Sequence, residues 1–183
     1  MNVNTEGSNT HMMQQHALSK EAVVQNGLMH VSIDLLLNDI LDARQSQVLN
    51  ATAENCTIPG PFVSDADDQL IIKLNFKEKV SVSEIKFIAC DEIHMRPKCV
   101  KVFANRAALD FSDVDNFEAG SCALLNDSDC QQSITLIGTK FTRVESIQIF
   151  VESSHGAETT KIAKIAVIGH PTPSYHVEYK TKN

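Results

Sequence analysis

From Gln69 onward the chain alternates apolar and polar residues with a period of two. In Leu70-Ile71-Ile72-Lys73-Leu74-Asn75-Phe76 one face carries Leu70, Ile72, Leu74 and Phe76, as expected of a strand with one side on a core. Between residues 80 and 89 the parity changes. Val80 and Val82 share one side and Ile85, Phe87 and Ala89 the other, so a bulge or break is expected near Ser83-Glu84. Residues 99–104, 121–125, 133–137, 146–152 and 161–168 are rich in Val, Ile, Thr and Phe and read as further strands. Asn, Asp, Gly, Ser and Pro separate them, which is turn chemistry.

One segment has helical spacing instead. Ile33, Leu36, Leu37, Ile40 and Leu41 fall on one face, with Ser32 placed to cap the N-terminus and Asp34 in the first turn. Residues 1–27 are polar and predict a disordered tail, and residues 172–183, following Pro171, predict an exposed one. Many short strands, no alternating helices and one short N-terminal helix predict an all-β fold, an antiparallel β-sandwich over 28–171.

Composition narrows this picture. At 183 residues the chain holds one well-buried core. Trp is absent and Tyr occurs twice, so Ile, Val, Leu and the eight Phe must form that core. The net charge of −7 disfavours phosphate backbones, so no nucleic-acid partner is expected. The start, Met1 to Gln15, lacks a signal-peptide pattern and no apolar run approaches a membrane span. The expectation is therefore a soluble intracellular protein with no membrane partner, and the three Asn-x-Ser/Thr sequons at Asn50, Asn55 and Asn126 read as chance.

Candidate chemistry is sparse. Cys56, Cys90, Cys99, Cys122 and Cys130 form no C-x-x-C pair, so they read as reduced, mostly buried thiols. Asp65-Ala66-Asp67-Asp68 offers oxygens for calcium but lacks the Gly and closing Glu of a calcium loop. A capped turn ahead of a strand is the favoured reading. Residues 110–118 interleave Phe111, Val114 and Phe117 with Asp110, Asp113 and Asp115, which predicts a loop pinned by Phe anchors whose acids suit a partner's basic surface. His11, His16, His30, His94, His155, His170 and His176 show no zinc-hydrolase spacing. Ser153-Ser154-His155-Gly156 beside Glu158 invites a hydrolase reading, but catalytic partners adjacent in sequence rarely converge, and His155 reads as a turn residue. No glycine loop for nucleotides is present. The sequence assigns no catalytic, cofactor-binding or metal-ligating residue, no cofactor, and no specific binding residue.

Three stretches carry a family resemblance. Ser64-Asp65-Ala66-Asp67-Asp68-Gln69-Leu70-Ile71-Ile72 resembles the S-D-x-D-E-Q-L-L-I run of the PITH domain. Pro97-Lys98-Cys99-Val100-Lys101-Val102-Phe103-Ala104-Asn105, then Leu109-Asp110-Phe111, resembles its P-K-x-V-K-x-F-x-N strand. Lys140-Phe141-Thr142-Arg143-Val144-Glu145-Ser146-Ile147-Gln148-Ile149-Phe150-Val151, followed by Gly156, Glu158, Thr160, Ile162 and Gly169, resembles its K-F-x-x-V-x-S-L-x-I-F ending. Upstream, residues 39–50 resemble the family's D-L-L-x-x-I-D helix and V-E-C-L-N segment. Val48 stands where that segment often has Cys, and Ala51 where it often has Glu. If that Cys served redox coupling, this chain lacks it.

The resemblance implies a galactose-binding-like jelly roll, a fold shared with a substrate-recruiting subunit of the anaphase-promoting complex. It also implies association with the proteasome regulatory particle, as in members where the module follows a thioredoxin domain. Here only a short polar stretch precedes it, so a stand-alone module without disulfide-reductase activity is expected. The resulting expectation is a non-enzymatic adaptor in protein turnover, monomeric, in the cytoplasm and also the nucleus. The alternative is a small-molecule or carbohydrate-binding jelly roll, which the scarcity of Trp and Tyr disfavours.

Overall fold

The computed structural model describes residues 22–25, 28–31 and 35–172. Two units are distinguished, 1–32 and 33–183. In the first, β1 (Ala22–Gln25) pairs antiparallel with β2 (Leu28–Val31), from Ala22 opposite Val31 to Gln25 opposite Leu28. Strand β1 lies within the stretch expected to be a tail. The rest of that tail, and residues 173–183, lie outside the described residues.

The second unit contains β3 (Leu35–Leu36), β4 (Gln47–Leu49), β5 (Ala51–Cys56), β6 (Phe62–Ser64), β7 (Leu70–Ala89), β8 (Pro97–Ala104), β9 (Ser121–Leu124), β10 (Gln131–Thr135), β11 (Val144–Ser154) and β12 (Lys161–Pro171). Its organising strand is β7, whose 20 residues serve both layers of the sandwich. The first half of β7 lies between β4 and β11, and β11 continues the layer to β8 and β9. The second half lies between β10 and β12, and β12 continues the other layer to β6 and β5, with β3 beside its far end. All of these pairings are antiparallel, as expected of the β-sandwich.

The parity change along β7 is a bulge. Ile168 opposes Glu84 and Gly169 opposes Val82, so Ser83 is the extra residue on β7. Its insertion turns both apolar sets inward. Val80, Val82, Ile85 and Phe87 are all buried, facing Leu70, Ile72 and Leu74 of the first half across the core. Ile147, Ile149 and Val151 of β11 join from one layer and Ile162, Ile165 and Val167 of β12 from the other. Each fully buried aliphatic side chain contributes about 1.5–3 kcal/mol relative to exposure. Gly169 sits opposite the bulge, where a β-carbon would collide with the Ser81 carbonyl oxygen.

The expected N-terminal helix is corrected. Its residues form the short strand β3 and a single 3-10 turn, Leu37–Ile40, that starts from extended backbone at Leu36 without a side-chain cap. The proposed cap Ser32, with Ile33 and Asp34, lies outside the described residues. The reason for the difference is competition from β12. Leu35 and Leu36 pair with Gly169 and Ile168, while the Asn38 amide donates to Ile165 O (3.1 Å) and accepts from Val167 N (3.0 Å). One turn then suffices to bury Leu37 and Leu41, leaving Leu36 at the surface.

A second, smaller apolar cluster covers the outer face of the first layer. Ile71 and Phe150 on that face meet Phe103, Leu109 and Val114, with Phe111 and Leu49 packed alongside. The 105–120 loop is thereby folded over the sheet, and it hides Lys73 and Gln148 from solvent as well.

Candidate interaction surface

The strands of the first layer end in two places with different character. At one end Asp68, Pro97 and Ser154 come together at strand termini. Asp68 accepts from Ser154 N (2.7 Å), and the Thr160 hydroxyl donates to the Asp68 carbonyl (2.6 Å). Ser64 Oγ accepts from Thr160 N (2.8 Å). Asp67 accepts from Gln69 N (3.0 Å) and from the Asn50 amide (2.7 Å). The acidic run is thus a capped turn, with Asp67 and Asp68 holding backbone and amide donors, as the sequence suggested. Among the described residues no group of three or more His, Cys, Asp and Glu converges around a metal-sized space.

The same end carries the Ser-His-Glu sequence. Ser154 Oγ donates to Ala157 O (2.8 Å) and accepts from the amides of Ala157 (3.0 Å) and Gly156 (3.2 Å). Those bonds commit the hydroxyl to its own turn, and none of them involves the His155 ring. Buried Arg96 ties two further loops together, donating to Cys90 O (3.0 Å) and Asp127 O (2.6 Å). His94 and His155 are held by backbone only: Ala157 N donates to His94 O and His155 N to Arg96 O. This end is fastened by its own side chains.

Cys90 and Cys99 are poor nucleophiles. Burial, reinforced by the Glu152 carboxylate that accepts from Sγ at 2.9 Å, pushes Cys99 up to about 11. Burial, then the Glu92 charge, also raises Cys90. Reactivity follows the thiolate fraction, so neither is activated. The bonds from Cys99, then Lys101 (2.9 Å), hold Glu152 below the ordinary carboxylate range. Cys56, Cys122 and Cys130 are exposed, against the expectation of mostly buried thiols. Val48 sits in β4 against the main core, so the position where the family often has Cys is a packing position here.

At the opposite end the chain leaves β8 into the 105–120 loop. Asn105, in the left-handed region at φ 56, donates from its backbone to Ser146 O (2.9 Å), and its side chain accepts from Glu145 N (2.8 Å) and Ser146 N (3.3 Å). Fully buried Gln148 accepts from Arg106 N (2.8 Å). The loop then turns on Asp110, which accepts from the amide and hydroxyl of Ser112 (2.9 and 3.1 Å); those bonds hold its carboxyl below the ordinary range. Val114 is buried and Phe111 meets Phe150 edge-on (centroids 6.2 Å apart), so the loop is pinned as anticipated. Phe117 is different. It is 36% exposed, and the Arg106 guanidinium lies 4.4 Å from its ring centroid.

Three clefts meet along residues 104–107. One of about 460 Å³ lies between Asn75, Lys79, Asn105 and Glu145, a second of about 290 Å³ between Arg106, Glu118 and Lys140, and a third of about 220 Å³ between Ala107, Leu109 and Phe117. Ion pairs line this rim, Lys79 with Glu145 (3.2 Å) and Lys140 with Glu118 (3.0 Å). Sequence reasoning found Phe117 and the loop but missed Arg106 and Gln148. No local pattern marks them, because Gln148 occupies a position that strand alternation assigns to the outer face.

Comparisons with known proteins agree with this architecture. Solved structures of similar fold include a family 32 carbohydrate-binding module from C. perfringens NanJ in complex with galactose, with a TM-score of 0.56 at 10% identity over 74% of this chain and 99% of that one. Another is a Clostridium perfringens family 32 module in complex with GalNAc-β-1,3-galactose, with a TM-score of 0.55 at 10% identity over 72% of this chain and 97% of that one. The fold is a galactose-binding-like jelly roll; at this identity the likeness is one of fold alone.

Among curated proteins, thioredoxin-like protein 1 of Schizosaccharomyces pombe is 35% identical over 120 residues, covering 62% of this chain and 41% of that protein. PITH domain-containing protein 1 of Danio rerio is 25% identical over 115 residues, covering 63% and 54%. The chain thus spans about half the length of such relatives. A family model described as the PITH domain matches residues 31–183, which takes in all three motifs and both ends of the sandwich. On that match the chain belongs to the PITH domain family.

Proposed function

We propose that this chain is a non-catalytic protein-interaction module that binds the proteasome regulatory particle as an adaptor in protein turnover. The observation that carries the reading is the family match over 31–183, in a family named for proteasome interaction. The structure supports a docking role in a specific way. Apart from the buried His155 Nε2, which has no hydrogen-bond partner among the described residues, one end of the sandwich is tied up in its own hydrogen bonds, while the other offers clefts, an exposed aromatic ring and charged side chains on a rigid sheet. Non-catalytic action is supported by the raised Cys90 and Cys99 thiols and by a Ser154 hydroxyl committed to its turn. The module is proposed to act as a monomer in the cytoplasm and nucleus.

The test is affinity capture. Tagged protein is expected to retain regulatory-particle subunits from lysate at low and moderate salt, and capture of none of them contradicts the reading. A disulfide-reduction assay on the purified chain is expected to stay at the background rate.

A further inference from the structure

Arg106 stands apart from the other cations lining the three clefts. Lys79 and Lys140 are each paired with a carboxylate of the chain, and Lys77 donates to the Asp39 carbonyl. The Arg106 guanidinium has no hydrogen-bond acceptor and no carboxylate partner among the described residues; its contact is the face of Phe117. Its backbone is nevertheless fixed. Buried Gln148 accepts from Arg106 N, and the preceding Asn105 is held by the Glu145 and Ser146 amides and the Ser146 carbonyl. A stacked guanidinium on a fastened backbone has lost much of its freedom before any partner arrives, so binding to it costs less ordering entropy.

We propose that the Arg106–Phe117 ridge is the contact point for an acidic, extended segment of a protein partner. A carboxylate of that segment takes the guanidinium fork in bidentate fashion, and a neighbouring aliphatic side chain enters the 220 Å³ cleft between Ala107, Leu109 and Phe117. A single carboxylate matches the one unpaired positive charge here, since Glu118 is taken up by Lys140, whereas a dianionic phosphate would leave a second negative charge beside Asp113, which lines the same cleft. The proposal rests on the interaction-module reading and gives it a place and a partner chemistry.

The test uses the full chain and a fluorescein-labelled peptide of alternating Glu and Leu, with Gln-for-Glu and phosphoserine-for-Glu versions as controls. The Glu peptide is expected to bind, to shift the backbone amides of residues 105–109 and 117, and to weaken as salt is raised. Arg106→Ala, at an exposed position, is expected to lower affinity roughly tenfold, and Arg106→Lys by less. The Gln peptide is expected to lose as much as Arg106→Ala does. Equal binding to Arg106→Ala, amide shifts elsewhere, tighter binding of the phosphoserine peptide, or no binding of the Glu peptide each overturn the proposal. If wild type and Arg106→Ala capture regulatory particle from lysate equally, the docking function stands and the Arg106 assignment falls. If neither captures it, the functional reading falls, and the peptide titration still decides the ridge.

Discussion

At the residue scale, the acidic run is where sequence chemistry had two readings and the structure selects one. Asp68 reaches across 86 positions to cap the Ser154 amide at 2.7 Å, so its carboxylate fastens β11 to the start of β7. Asp68→Ala is expected to cost about 1–3 kcal/mol by leaving that amide without its acceptor, read as a lower urea midpoint with an unchanged slope. An unchanged midpoint removes the capping role. Cys99 supports a second prediction. Its thiol is held up at about 11, whereas its ordinary value is 9.0, by burial first and Glu152 next. Because the folded value is the higher one, its contribution to stability is complete below about pH 9 and is lost as pH rises through about 11. Iodoacetamide near neutral pH is expected to label exposed Cys56, Cys122 and Cys130 well before Cys99, and Glu152→Gln to speed Cys99 labelling. Early labelling of Cys99 in the wild type contradicts this environment.

At the element scale, period-two alternation was legible wherever a strand is buried on one side, as in β7, β8, β11 and β12. The parity change in β7 even located the Ser83 bulge. Besides β1, β2 and β3, three strands escaped notice for physical reasons. β4 and β6 have three residues each, too few to show a period, and β5 (Ala-Thr-Ala-Glu-Asn-Cys) lies at a half-exposed edge with little apolar content. The helix expectation failed because Leu37 and Leu41 satisfy helical spacing and a one-turn connection equally well. What decides between them is Asn38 gripping β12, a contact 127 and 129 positions away that no local window contains. Lys73 and Gln148 were invisible for a similar reason, since the loop that buries them arrives from elsewhere in the chain. Gly169 tests the bulge directly. Adding a methyl group against the Ser81 carbonyl is expected to cost about 1–3 kcal/mol, so Gly169→Ala should melt at a clearly lower temperature. An unaltered melting temperature shows that the β7–β12 bulge is looser than described.

At the scale of the whole molecule, the family motifs and the candidate interface play different parts. Ser64 and Asp68 of the first motif meet Thr160 of the third at one end, and Asn105 of the second meets Ser146 of the third at the other. These stretches therefore specify how the sandwich closes, which is why the fold was readable from sequence and the proposed partner surface was not. The proposed surface arises between motifs, from Arg106 and Phe117 in the loop that the second motif launches. The most direct measurement is sedimentation velocity of the fluorescently labelled chain with purified proteasome regulatory particle. The account predicts a saturable fast-sedimenting fraction that Arg106→Ala diminishes. A chain that sediments only as a free monomer, however much regulatory particle is added, contradicts it.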